Sequence, residues 1–399
     1  MASISLPGEK ELLAQVEALS DSFQAEAVRQ YVRLFSRVIA EELGRWSPEE
    51  LESRYLRVRR LRPFQGDSEG VRTVFVLSRV TLGADIAVTS LMLDAAKRRF
   101  PASRIVLVGR RASADLFAAD RRIEWLAVNY GRRSSLGERL AVGLELAERL
   151  DQPDSIVLDP DSRLSQLGLL PVADEQRYYF FESRAWGGEG SETISELTRR
   201  WLAATLGVAD ARPWIAPAGQ APGPQGIAVS LGVGENPDKR LPDPFEQELL
   251  SGLAAFGMPI LVDLGAGGEE AERVHRALAG ARLSPGQVST FQGPFAEFAL
   301  RIAAARLYVG YDSAGQHAAA ALGVPLVTVF AGFPCERFFA RWQPTGPGPK
   351  ITVRVEEPLE IAETLERTLA AAKHLLADQH GAAVQDSSTG ITRTNSPIT

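Results

Sequence analysis

From residue 72 onward, short runs of consecutive apolar residues alternate with longer stretches in which apolar positions recur every three or four residues. The first kind predicts buried strands and the second predicts helices. RTVFVLS (72–78), RIVLVG (104–109), EWLAV (124–128) and SIVLDP (155–160) read as strands. Helices are predicted over 84–99, briefly around Leu116 and Phe117, and over 134–150 and 192–206. The alternation then repeats. GIAVSLG, PILVDLG, a run near 287–291, RLYVG and PLVTVF read as strands, separated by helices that open near Asp243-Pro244, 268, 294 and 313. Asp243 with Glu246 has the spacing of a capping box. Strands alternating with helices call for parallel, doubly wound sheets, and the chain carries enough of them for two.

Between the two series lies PWIAPAGQAPGPQG (213–226), whose proline and glycine content suits a linker. Before the first series, Leu12, Val16, Leu19, Phe23, Tyr31, Phe35 and Val38 recur at helical spacing. The predicted organisation is a helical extension (1–70), a Rossmann-like domain (71–212), the linker, and a second Rossmann-like domain (227–355). A last helix (356–379) and a disordered tail (380–399) complete it. RYLRVRRLR (54–62) has two readings. It is either a solvated helix face or connector, or a surface for an anionic membrane or a polyanionic acceptor.

Composition narrows the function. A net charge of −6 argues against nucleic acid as the main partner. The single cysteine, Cys335, excludes an intrachain disulfide framework and fits a cytoplasmic protein. The four histidines never stand at metal-ligand spacing, so no metal cofactor is expected. No apolar run reaches the ~18 residues of a membrane span, so any membrane contact would be peripheral, at the inner face through the N-terminal helices.

Ligands of open α/β sheets bind beyond the carboxyl ends of the strands. In the first half this singles out Ser78, Arg79 and Asp85, and then Asp159 and Arg163. In the second it singles out Lys239 and Arg240, 265–268, and the turn Asp312, Ser313, Ala314, Gly315, Gln316 and His317. That last turn precedes a helix, whose free N–H groups and dipole suit phosphate. Asp85 is either a carboxylate favoured by its helix N-terminus or a base able to take a hydroxyl proton. Lys239 and Arg240 are either diphosphate contacts or solvated cations. His317 either supports the turn or donates to a phosphate oxygen. Gly-Ala-Gly-Gly at 265–268 lacks the spacing of a dinucleotide fingerprint.

In combination, VFVLSRVTLGADIAVTSLMLDAAKRRFPASRI, IVLDPDSRLSQLGLL, ENPDKRLPDPFEQELL and DSAGQHAAAALGVPLVTVF resemble glycosyltransferase family 9, which includes the ADP-heptose:lipopolysaccharide heptosyltransferases. The resemblance covers roughly residues 72–345. It implies the GT-B fold of two facing Rossmann-like domains, and metal-independent, inverting transfer of a hexosyl or heptosyl group. The donor would be a nucleotide sugar and the acceptor a glycan or glycolipid of the cell envelope. By resemblance Asp85 matches the general base, Lys239 a diphosphate contact, and Asp312 to His317 the donor phosphate loop.

The chain departs from the family at three points. It has Gly-Ala-Asp where the family has Gly-Asp, Ala314 before Gly315 where the family's glycine comes first, and Leu241 where the family has tryptophan. Two other readings stay open: a catalytically silent GT-B-like nucleotide- or glycan-binding or assembly protein, and a nucleotide-sugar epimerase of the same fold.

Overall fold

The computed structural model describes residues 8–130, 134–223, 225–234, 236–265, 267–356 and 359–388. Three helices open the chain: α1 (Glu9–Asp21), α2 (Ala25–Leu43) and α3 (Pro48–Val58). The first sheet series follows as β1 (Thr73–Leu77), α4 (Leu82–Ala84), α5 (Ser90–Arg99), β2 (Arg104–Gly109), α6 (Arg111–Asp115), β3 (Ile123–Ala127), α7 (Leu136–Leu150), β4 (Ser155–Asp159), β5 (Tyr178–Phe180) and α8 (Ile194–Leu206). The second series runs β6 (Gln225–Ser230), α9 (Phe245–Ala254), β7 (Ile260–Asp263), α10 (Glu269–Gly280), β8 (Val288–Phe291), α11 (Phe295–Ala303), β9 (Ala305–Tyr311), α12 (Ala314–Ala321) and β10 (Leu326–Phe330). It ends with α13 (Glu336–Arg341), β11 (Lys350–Arg354) and α14 (Ile361–Ser388).

Both sheets are parallel, ordered β3-β2-β1-β4-β5 and β11-β10-β9-β6-β7-β8. Each reverses its winding beside its first strand, so the loops after β1 and β4, and after β6 and β9, flank a switch point where ligands seat. β5 and β11 fall in stretches that carry no predicted strand.

Strand alternation divides the first sheet between two cores. Val74, Val76, Ile105, Leu107, Ile156 and Leu158 face α5 and α8. Phe75, Leu77, Val106, Val108 and Val157 face the other way, onto α7 and the apolar stripes of α1, α2 and α3. The N-terminal helices are therefore a layer of this sandwich. The arginine cluster explains how they are fastened. Arg54 donates to the Gly168 carbonyl (2.9 Å), Arg57 pairs with Glu175 (2.7 Å), Arg59 pairs with Glu182 (2.9 Å), and Arg62 donates to the carbonyls of Glu175 and Tyr178. The connector reading of 54–62 accounts for these four side chains.

Other expectations change with packing. The pattern over 9–43 breaks into two helices at Phe23, which takes a left-handed φ of 52°. Asp243 and Glu246 form no capping box, because Glu246 turns to Arg240 and Arg273 (3.5 and 2.9 Å). Capping boxes form instead at Ser47/Glu50, Ser135/Glu138 and Thr193/Glu196. The linker starts packed: Trp214 donates to the Ser90 carbonyl (2.8 Å) and lies against Phe117. The last helix runs through 380–388, assigned above to the tail, and residues 389–399 lie outside the described residues.

Candidate active site

On the C-terminal side, β9 delivers Asp312 and α12 starts two residues later. Lys239, at the end of a short turn after β6, reaches across so that its ammonium pairs with the Asp312 carboxylate and approaches the Asp312 carbonyl (3.3 Å). Gln316 donates to Asp312 and to the Trp342 carbonyl (3.2 Å), which fixes the first turn of the helix. Glycine at 315 has a steric reason. A Cβ there would stand 2.0 Å from the Tyr308 hydroxyl, which lies under the turn. The order Ala314-Gly315 thus follows from the tyrosine beneath. His317 is buried, and burial with the nearby Lys239 cation lowers its pKa to about 4, so the imidazole is neutral.

A cavity of about 320 Å³ opens beside this turn. Ser313, Ala314 and Gly315 line one wall, Gly232, Gly234 and Gly265 another, and Phe295 with Leu82 supply apolar surface. Asp263 and Glu270 add carboxylates, and burial raises the Asp263 pKa to about 6. Arg240 is directed to Glu246 and does not join Lys239.

The N-terminal side has a different character. Asp85 is fully buried. One of its carboxylate oxygens accepts from the Arg79 N–H (2.7 Å) and the Thr89 hydroxyl (2.8 Å), and the other from the Ser78 hydroxyl (2.8 Å). Burial raises its pKa, and these hydrogen bonds, with one from Ser113, oppose the rise. It opens a π turn, Asp85–Thr89, closed by the Ser90 N–H reaching back five residues to the Asp85 carbonyl. A π turn holds one residue more than an α turn, and it stands where this chain has Gly-Ala-Asp in place of the family's Gly-Asp.

Asp159 is likewise enclosed. It accepts from the Ser162 N–H (2.7 Å), Ser165 and Tyr178, and burial raises its pKa to about 6. Arg163 is half-buried, and its charge acts on the phenols of Tyr31 and Tyr130. Ser78 is also buried. Of the four acceptor-side candidates, Arg79 alone extends toward the other domain. Its guanidinium donates to Ser183 (2.7 Å) and lies 5.8 Å from the centre of the Trp342 ring.

The two sides meet. A Cβ at Gly83 would stand 3.2 Å from His317 Cδ2 and 3.4 Å from the Ala314 Cα, so the glycine permits the β1 loop to rest on the Asp312–His317 turn. Trp342 packs edge-on against His317 (5.9 Å) and Phe23 (6.4 Å) while facing Arg79. Sequence reasoning missed Trp342, because nothing local marks a tryptophan after a short helix. It also missed Thr89, which stands four residues beyond Asp85 on the same helix and was in principle findable. Among the described residues no group of three or more His, Cys, Asp or Glu side chains is arranged to hold a metal ion.

Two Rossmann-like sheets meeting at the carboxyl ends of their strands define the GT-B-like class. Within that class, residues 209–346 match the model of glycosyltransferase family 9 (heptosyltransferase), a span that takes in Lys239 and the Asp312 to His317 turn. Solved structures agree in fold. The glycosyl transferase family 9 protein of Veillonella parvula aligns with a TM-score of 0.56 at 18% identity, covering 77% of this chain and 97% of that one. The E. coli heptosyltransferase WaaC with ADP gives 0.55 at 19% identity, over 77% and 99%. E. coli ADP-heptose lps heptosyltransferase II gives 0.54 at 18%, over the same shares. No curated protein matches the chain by sequence.

Proposed function

We propose that this protein transfers a sugar from a nucleotide-sugar donor to a glycan or glycolipid hydroxyl, with inversion and without a metal ion. The observation that carries the reading is the cavity beside α12. A helix N-terminus and a glycine-rich wall line it at a topological switch point, and the Lys239 ammonium is held at Asp312, the residue before that helix cap. A diphosphate bound across this turn would compete with Asp312 for Lys239 and so gain a charge-assisted contact. The helix N-terminus and the lysine would then stabilise the departing nucleoside diphosphate, which is the work a metal does elsewhere.

On the acceptor side, a cavity of about 500 Å³ lies beyond β3, lined by Arg110, Arg111, Trp125, Asn129, Tyr130 and Arg149. Trp125 is 40% exposed and offers a flat face to a sugar ring. Arg110 joins this cavity to the β1 loop by donating to the Val80 carbonyl (2.7 Å). Asp85 is the carboxylate of that loop and is assigned the base role, in an inversion in which the acceptor oxygen attacks the anomeric carbon, gives its proton to the carboxylate and expels the nucleoside diphosphate. For this to happen the carboxylate has to release at least one of its donors when the cleft opens.

A second reading rests on a specific observation. The complete burial and saturated hydrogen bonding of Asp85 suit a chain that binds a nucleotide without turning it over. Incubation with nucleotide sugars and envelope glycan acceptors, in chelator, separates the two. Transfer with release of nucleoside diphosphate supports the enzyme. Donor binding without release, across a panel of donors and acceptors, supports the silent protein.

A further inference from the structure

The turn between α1 and α2 crosses from the N-terminal sandwich to the other domain. Phe23 is buried there against Phe338 (6.1 Å) and Trp342 (6.4 Å) of the C-terminal half. Arg337 donates to the Phe23 carbonyl, and the Cys335 sulfur lies 3.5 Å from the Ser22 carbonyl oxygen. On its other side, α13 is held by the Gly-rich loop before α8. Arg337 pairs with Glu189, and Arg341, itself buried, donates to the carbonyls of Glu192 (2.6 Å) and Gly188 (3.1 Å).

The phenylalanine holds its place in a left-handed backbone, φ 52°, which is strained for a bulky residue and persists only where surroundings enforce it. Left-handed non-glycine residues recur on the same face of the cleft, at Val80 (φ 76°) and Asp161 (φ 69°). Trp342 touches Phe23, His317 and Arg79, and the Arg79 N–H holds Asp85. A continuous line of contact therefore runs from the α1–α2 turn to the buried carboxylate. The donor cavity is lined by none of these clasp residues.

We infer that the α1–α2 turn is a clasp, with Phe23 as its catch, that locks the two domains shut over the Arg79–Asp85 side of the cleft and leaves the nucleotide side open. The clasp has to release before an acceptor hydroxyl can approach Asp85. Order of binding follows: nucleotide enters the closed protein, acceptor only the opened one.

The native thiol gives a direct test. Ser22→Cys places a second thiol on the residue whose carbonyl lies 3.5 Å from the sulfur of Cys335, the single native cysteine. Oxidised glutathione takes two electrons from the pair and leaves as two thiols, closing a disulfide across the clasp, and dithiothreitol reverses it. Amide hydrogen exchange over 78–85 and 335–342 is read in both states and in Phe23→Ala. The expected result is exchange at least tenfold faster in Phe23→Ala than in the native protein, and slower in oxidised than in reduced Ser22→Cys. Binding of ADP or UDP, whichever the native protein takes up, stays the same in both redox states.

Equal exchange in the two redox states, or native exchange over 78–85 and 335–342 in Phe23→Ala, overturns the clasp. If Phe23→Ala exchanges faster throughout the chain, the fold itself has loosened, and the redox pair, which keeps Phe23, decides alone. Loss of transfer on oxidation with recovery on reduction tests the coupling to catalysis. That arm alone rests on the glycosyl-transfer reading, since the exchange measurements hold for an active or a silent protein.

Discussion

Asp85→Asn separates the structural from the chemical work of the buried carboxylate. Asparagine keeps one oxygen, and in its best orientation that oxygen still accepts from the Arg79 N–H and the Thr89 hydroxyl. The amide nitrogen then faces the Ser78 hydroxyl, which already accepts from the Val80 N–H (2.8 Å) and has to turn its proton away from position 85. The hydrogen bond from Ser78 to a charged acceptor is exchanged for a poorer neutral contact, a loss of about 1.5–3 kcal/mol at most. Neutralising a fully buried carboxylate recovers part of its desolvation cost. The expected net destabilisation is about 1–2 kcal/mol, read from urea unfolding midpoints at constant m. Turnover, measured as nucleoside diphosphate release in the presence of acceptor, should fall ~10²–10⁴-fold if the carboxylate takes the proton, with donor affinity unchanged. Native turnover in Asp85→Asn would remove it from the chemistry. Native stability would refute the hydrogen-bond argument.

Three further outcomes follow from the geometry. Lys239→Ala should weaken nucleoside diphosphate binding by about 1.5–3 kcal/mol in calorimetry, and equal affinity in both proteins would remove the lysine from the donor site. Gly315→Ala drives a methyl into the Tyr308 hydroxyl and should cost both stability and diphosphate binding, with partial recovery when Tyr308→Phe removes the nearest atom; unchanged melting and binding would contradict this packing. For His317, a folded pKa of about 4 against 6.5 unfolded means that the unfolded chain binds the extra proton between those values. The stability of the native protein relative to His317→Gln is thus full above pH 6.5 and declines as pH falls toward 4. At about 1.36 kcal/mol per unit, the decline totals about 3 kcal/mol. Parallel unfolding curves for the two proteins from pH 7 to 4 would show instead that the imidazole is not held neutral.

Much of the fold was legible because it rests on local pattern. Predominantly apolar runs rich in β-branched residues, such as TVFVL and LVTVF, read as strands covered on both faces, and the helices between them call for parallel order. The strand-turn-helix at Asp312–His317 was legible for the same reason, since its three parts are consecutive in the chain. β5 and β11 escaped because a three-residue edge strand and a mixed polar strand carry almost no periodic signal.

What the sequence alone determined, then, was the two-sheet architecture, the strand-turn-helix at Asp312–His317 and the resemblance pattern. Each is built from short local runs of residues and from the order of those runs along the chain. Tertiary structure decided everything that depends on distant segments meeting. It placed the N-terminal helices as a layer of the first sandwich, tied four arginines of 54–62 to the first domain with Arg54 buried, sent Arg240 to Glu246 while leaving Lys239 at Asp312, and required glycine at 315 because Tyr308 lies below. It also enclosed Asp85 under Ser78, Arg79 and Thr89 and brought Phe23 to Trp342 across more than 300 residues of chain. Burial and hydrogen-bond saturation are properties of a neighbourhood in space, and neither is written in the spacing of a chain.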